Sequence, residues 1–298
     1  GGLLTFSLIG AFQNKFYTDV LNIDPAKIVV LILVARIWDA INDPIIGGLI
    51  DAIRPKPGQS KFKPWIFWGS LALIFSGAVC FIPIKEASMP IKIIICVVGY
   101  LLWDLSYTIV NVPYGSLNAA ITSDATERSS LSTFRSIGAF IANILLAVLI
   151  PLLIYNEAGD IIGQILIIVG LVCGVFGFIF FQILCHGTTE RVVIDYDAQI
   201  KKEKFNYFKS IKAFFTNRSA VSFTVVTIFQ LLAFSFMATC STLFIQQSFP
   251  EYTKLSGIVS MLGFLPTIIF IPFVGKLVKK FGKKEASTWP MLLGVVAG

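Results

Sequence analysis

The sequence predicts an all-α, polytopic membrane protein, and two observations predict it. Hydrophobic residues make up 56% of the 298 positions and charged residues 14%, where a soluble domain carries about 25% charged residues to solvate its surface. The apolar residues also run in long blocks rather than in alternation, at about 1–18, 26–50, 64–84, 90–117, 136–155, 161–185, 219–247, 255–275 and 287–298. Most of these reach the roughly 17–25 residues that a helix needs to cross ~30 Å of hydrocarbon. Residue 1 is glycine, and Met291–Gly298 stops within an apolar run. About nine membrane helices are therefore expected, the first and last partial, in a chain truncated at both ends. The start lacks the basic region and small-residue cleavage pattern of a secretory signal.

Net charge is +7, and its placement sets an orientation. Of the 24 Lys and Arg residues, 18 fall in four connections, 51–63, 118–135, 186–218 and 276–285. The alternate connections hold only Lys27, Lys85, Lys92 and Lys254, while Lys15 and Arg36 lie inside apolar segments. Cytoplasmic loops collect basic residues. The first set is thus expected on the cytoplasmic side of a bacterial inner membrane. Basic residues distributed in this way do not suit a nucleic-acid partner; the lipid bilayer is the expected surroundings. The five cysteines all lie in apolar runs without CxxC spacing, which suits packing. His186 is the only histidine and has no partners for a triad or metal site. Neither an enzyme nor a cofactor is expected.

The polar stretch Gly187–Arg218, with seven basic and four acidic residues, separates six apolar segments from at least three more. The expected organisation is an N-terminal six-helix bundle at 1–185, a cytoplasmic linker at 186–218 and an incomplete second bundle at 219–298. An internal repeat supports it: Pro44-Ile45-Ile46-Gly47-Gly48-Leu49 ends the second segment, and Pro272-Phe273-Val274-Gly275-Lys276-Leu277 ends the eighth. A basic loop follows each. Parallel repeats of two six-helix halves resemble the major facilitator architecture. The loop after the second segment, with Asp51 and Arg54 three residues apart, resembles that superfamily's cytoplasmic gate.

Ala35-Arg36-Ile37-Trp38-Asp39-Ala40-Ile41-Asn42-Asp43-Pro44 places three ionised groups inside the second segment. Each costs ~2.5–3.5 kcal/mol near the bilayer centre, so together they would cost about 8–10 kcal/mol against lipid. They must face a polar interior. Arg36, Asp39 and Asp43 fall at i, i+3 and i+7, one stripe of a helix, with Asn42 beside it. One arginine cannot balance two acids, and a bound cation or proton is the natural partner of the second. Carboxylate and amide oxygens suit a hard cation, sodium or lithium. The alternative is a permanent Arg–Asp bridge between helices.

The fourth segment carries Trp103, Asp104, Tyr107, Thr108, Asn111, Tyr114 and Gly115. Asp104, Thr108 and Asn111 again share a stripe, flanked by two tyrosines. Aromatic faces with polar groups between them suit a sugar. Hydroxyls bonding back to the helix would account for Ser106 but leave Asp104 unexplained.

These motifs, with Lys61-Phe62-Lys63-Pro64-Trp65, Tyr107-Thr108-Ile109-Val110-Asn111-Val112-Pro113-Tyr114, Tyr17-Thr18-Asp19, Glu127-Arg128 and Arg135, resemble the glycoside–pentoside–hexuronide:cation symporters of the major facilitator superfamily. The resemblance implies that Asp39, Asn42, Asp43 and Thr108 bind the coupling cation, Na⁺, H⁺ or Li⁺. It implies that Tyr107 and Asn111, with Arg135 at the start of the fifth helix, face the sugar; Asp104 is placed in the same substrate group. Members specific for melibiose carry an acid in place of Asn111 and a tryptophan in place of Gly115, which argues against melibiose. The acid that anchors sugar from the first helix would fall at or before residues 1–3, which are Gly, Gly and Leu. The expected function is monomeric, cation-coupled symport of a sugar or glycoside by alternating access. A related facilitator for a non-sugar or lipid-like solute and a non-transporting sugar sensor are the alternatives.

Overall fold

The computed structural model describes residues 2–53, 55, 59–156, 161–191 and 207–248, with eight isolated positions between 273 and 289. The chain divides into two compact units, Gly1–Ile194 and Asp195–Gly298.

In the first unit, α1 (Gly2–Lys15) runs into one π-helical turn (Phe16–Val20). It is followed by α2 (Pro25–Ala52), α3 (Lys63–Val79), α4 (Met89–Ile121), α5 (Ala125–Ile154) and α6 (Gly163–Gly187). Local chemistry sets the helix starts. Proline opens α2, α3 and α4, where its missing N–H would have had no helical partner anyway. Asp24 Oδ1 accepts from Ala26 N at 2.8 Å. Asp124 Oδ1 accepts from Thr126 N and Glu127 N at 2.7 and 2.9 Å. The backbone bonds from Glu127 and Thr126 hold the exposed Asp124 carboxyl below its usual range. The turn between α1 and α2 needs a left-handed residue, and Asn22 supplies it at φ 54°.

The helices outrun some of the apolar blocks. α5 starts at Ala125 rather than near 136, because Thr126–Arg135 is mostly polar yet helical behind the Asp124 cap. Arg135 is consequently not at the start of the fifth helix, as expected, but about 15 Å along it. α3 stops at Val79, short of the expected 84, ahead of Pro83.

Among the described residues, Met89–Ile121, Thr126–Leu146 and Gly163–Gly187 are helices long and apolar enough to cross a membrane. α2 has the length, but every 18-residue stretch of it includes at least three of Lys27, Arg36, Asp39, Asp43 and Asp51. Its outward face is nonetheless apolar, with Val29, Leu33, Ile37, Ile41, Ile45 and Leu49 all exposed. So broad an apolar exterior does not suit water.

Inside the unit, α3 packs against α4 and α6, α2 against α4, and α1 against α5 and α6. Small residues allow the closest approaches. A Cβ added at Gly174 of α6 would stand 2.7 Å from the Ile74 Cα of α3. Cys80, Cys96, Cys173 and Cys185 are buried and free, as packing residues would be. Cys240, in the second unit, is exposed instead.

The second unit contains α7 (Tyr207–Thr216) and α8 (Arg218–Ser248). Asn217 joins them, its Oδ1 accepting from Ser219 N and Ala220 N at 3.1 and 3.2 Å. The segment expected as a polar linker therefore contains a helix. The expected segments 255–275 and 287–298 lie outside the described residues, save isolated positions.

The Gly174 contact is with backbone, which cannot rotate away. Gly174→Val should destabilise the protein in detergent by about 1–3 kcal/mol through overpacking, read as a lowered thermal midpoint. An unchanged midpoint would show that α3 and α6 can part freely.

Candidate cation and sugar site

Burial makes α2 and α4 meet through their polar stripes. Asn42, Asp104 and Thr108 are all buried, at 4%, 6% and 3% exposure, and each makes a hydrogen bond across the interface. Thr108 Oγ1 donates to Asp43 Oδ1 at 2.8 Å. Asn42 Nδ2 donates to Asp104 Oδ2 at 3.0 Å. Asp39 Oδ2 receives Arg36 Nη1 from its own helix at 3.1 Å, and Tyr100 Oη donates to both Asp39 oxygens at 3.3 and 3.4 Å. Asp104 also lies against Asp39.

The four residues expected to hold a cation are thus brought together. Asp104, expected among the sugar contacts, sits with them instead. Its helical stripe is shared with Asn111, but α2 covers the stripe at Asp104. Three carboxylates here share one guanidinium, and the Arg36 side chain is 68% exposed. Repulsion between the acids favours a bound positive charge. Among the described residues, no group of three or more His, Cys, Asp or Glu side chains is placed to hold a metal ion. A cation here would need neutral oxygens, such as those of Asn42 and Thr108, besides carboxylates. Such oxygens suit hard cations.

A cavity of about 620 Å³ lies beside this cluster, among α1, α4, α5 and α6. Tyr107, Asn111, Tyr114, Asn118 and Arg135 supply polar groups, and Phe134 and Phe181 apolar surface. The volume is that of a small-ligand pocket. Tyr107 stacks on Phe6 and Trp103, with ring centroids 5.3 and 5.5 Å away. The Arg135 guanidinium lies 5.1 Å from the Tyr114 ring centroid, a cation–π contact. Tyr107, Asn111 and Arg135 therefore share one cavity; Asp104 does not line it.

At the far end of α2, Arg54 lies outside the described residues. Asp51 pairs with Lys61, Nζ to Oδ1 at 3.6 Å. Beside Lys61, sequence reasoning missed a strap. The Glu190 carboxylate accepts from Lys61 N at 3.1 Å, Phe62 N at 3.2 Å and Ser60 Oγ, capping α3. Lys63 Nζ donates to Thr188 O at 2.6 Å, and Arg191 N to Ala120 O at 2.9 Å. The chain leaving α6 is thereby tied to the start of α3 and the end of α4. The signal available was an acid amid the basic residues of 186–218. Tyr100 was also missed; it lies one turn before Asp104, on the same helix.

Residues 3–298 match the MFS/sugar transport protein family. The chain belongs to that family. It is an integral membrane protein of the all-α major facilitator fold, and the family is one of transporters rather than enzymes. Relatives include the uncharacterized symporter YjmB of Bacillus subtilis, 30% identical over 96% of this chain and 61% of its own length. The isoprimeverose transporter of Lactiplantibacillus pentosus is 28% identical over 98% and 60%. The putative glycoside/cation symporter YagG of Escherichia coli is 28% identical over 92% and 58%. These agree with the resemblance to glycoside–pentoside–hexuronide:cation symporters. The chain spans about three-fifths of the length of the curated relatives it matches.

Glu190 satisfies two backbone N–H groups at a helix start, a role whose loss costs about 0.5–2 kcal/mol. Glu190→Ala should lower the thermal midpoint in detergent, and Glu190→Gln, which keeps an acceptor oxygen, should lower it less. Equal midpoints for all three proteins would show that the strap carries no stability.

Proposed function

We propose that the protein carrying this chain is a monomeric secondary transporter that moves a sugar or glycoside with a cation across a bacterial inner membrane. The observation that carries this reading is the placement of Asp39, Asn42 and Asp43 of α2 against Thr108 of α4, beside the cavity lined by Tyr107, Asn111 and Arg135. The cation, Na⁺, Li⁺ or H⁺, is co-transported cargo taken by the first group; the sugar occupies the second. The names of the relatives support both halves, one a transporter of isoprimeverose and another a glycoside/cation symporter.

In this reading the bundles 1–185 and 219–298, joined by 186–218, rock about a midplane site. A bound cation offsets the repulsion among the acids and favours the arrangement that takes sugar. That coupling is reciprocal: sugar tightens cation binding by the same factor. The Asp51–Lys61 pair and the Glu190 strap belong to the cytoplasmic gate.

Sugar uptake into proteoliposomes containing the full-length protein tests the ion site. Asp43→Asn and Asp39→Asn should each abolish ion-stimulated uptake, a loss of about 100-fold or more, while expression persists. Normal ion-dependent accumulation in both would sink the assignment. Counterflow of labelled sugar should occur without an ion gradient; its absence, with sugar still bound, would favour a sensor. Uptake of a lipid-like solute instead of sugars would favour the other facilitator reading.

Orientation follows from the basic loops. With native cysteines replaced, a single cysteine at Gln59 should react only with cytoplasmic reagent and one at Glu86 only with external reagent. The reverse pattern would overturn the topology.

A further inference from the structure

Asp104 is the one ionisable residue of α4's buried stripe whose role the transport reading leaves unassigned. It does not line the sugar cavity. Its definite partner is the Asn42 amide, 3.0 Å away. The half of the amide that faces Asp104 is the nitrogen, which donates to the carboxyl oxygen. The amide oxygen is thereby turned away from α4. Asn42 as a whole is 4% exposed.

The neighbours of Asn42 are held differently. Asp39 is engaged by Arg36 and Tyr100, and Asp43 by Thr108. Among the described residues the Asn42 Oδ1 accepts no hydrogen bond. It is the neutral oxygen left for a ligand. Without an acceptor at position 104, nothing would prevent the amide from presenting its NH₂ group instead, and an NH₂ group repels a cation.

We propose that Asp104 is a positioning residue of the ion site, holding the Asn42 amide with its nitrogen toward α4 and its oxygen toward a metal cation at Asp39 and Asp43. This rests on the transport reading above. It makes α4 contribute twice, through the Thr108 hydroxyl and through control of an α2 side chain. It also distinguishes a metal cation from a proton, which has no need of an amide oxygen.

The experiment measures the Na⁺ and Li⁺ concentrations for half-maximal sugar uptake by the full-length protein in proteoliposomes, and sugar affinity at saturating ion. Asp104→Leu should raise the half-maximal ion concentration about 10-fold while sugar affinity at saturating ion stays within about twofold. Asp104→Asn keeps an acceptor oxygen and should stay within about threefold of the parent. Asn42→Ala should match Asp104→Leu, and combining the two should add less than about twofold, because the second residue acts through the first.

An unchanged ion requirement in Asp104→Leu overturns the proposal. So does an Asp104→Asn protein as impaired as Asp104→Leu, because the charge would then act on the ion directly. Fully additive effects of Asn42→Ala and Asp104→Leu overturn it too. A parent protein activated by neither Na⁺ nor Li⁺ but by protons overturns it while leaving symport intact. Ion-dependent uptake surviving in Asp39→Asn and Asp43→Asn would instead remove the ion site itself.

Discussion

The cost of an ionised group in hydrocarbon governs this structure. Arg36, Asp39, Asp43 and Asp104 all lie within apolar stretches, and each would cost ~2.5–3.5 kcal/mol facing lipid. Asp104 is buried, with Asn42 and Thr108, and Val29, Leu33, Ile37, Ile41, Ile45 and Leu49 lie on the outside; Arg36 and Asp43 of α2 are exposed, against the expectation that its whole charged stripe faces the interior. In part this inverts a soluble helix pair: Asn42, Asp104 and Thr108 meet in the interior while aliphatic side chains are displayed. Burial then demands that each polar group be satisfied. The interlocking bonds of Asn42 with Asp104 and of Thr108 with Asp43 meet part of that demand, while the buried indole N–H groups of Trp38 and Trp103 have no partner among the described residues.

Satisfaction of hydrogen bonds does not balance charge. Three acids and one largely exposed guanidinium leave the α2–α4 interface short of positive charge. A structural salt bridge would be expected to come balanced, since breaking a buried pair costs more than its formation gains. An interface built with a standing deficit is suited to a transient positive guest. The nearby cavity differs in kind. Its single described cation, Arg135, lies over an aromatic ring, and amides and hydroxyl groups complete the polar lining. Amides and an arginine can meet hydroxyl groups, so the two sites differ chemically although one helix lines both.

How far the sequence revealed this follows from which signals are local. The stripe of α2 was legible because charges inside an apolar run are costly wherever the chain folds, and 3.6-residue periodicity puts them on one face. The same periodicity grouped Asp104 with Asn111 and so with the sugar. It could not show that α2 covers the stripe at Asp104 while the cavity opens at Asn111. That is a tertiary fact, set by the crossing of two helices. The start of α5 was missed for another reason: apolarity marks where a helix meets lipid, not where it begins. Ten residues behind the Asp124 cap, eight of them polar, are helical and move Arg135 well inside the element. The Glu190 strap was hidden because it joins positions about 130 residues apart. No local pattern encodes that closure. The pairing of Asp51 with Lys61 escaped for a milder version of the same reason, since it crosses a loop.

The adjacency of Tyr107 and Thr108 has a mechanical consequence. They are consecutive on one helix, yet Thr108 bonds to Asp43 of α2 while Tyr107 lines the cavity. Tyr107 is also wedged between Phe6 of α1 and Trp103. Any shift of α4 that changes the Thr108–Asp43 distance must carry Tyr107 with it, because the peptide bond between them does not stretch and the helix holds both Cα positions. Packed interiors respond to such shifts by moving between discrete arrangements rather than by gradual deformation. No chain of intermediates is needed to connect the two sites. In the proposed reading the backbone of α4 is itself the connection between them.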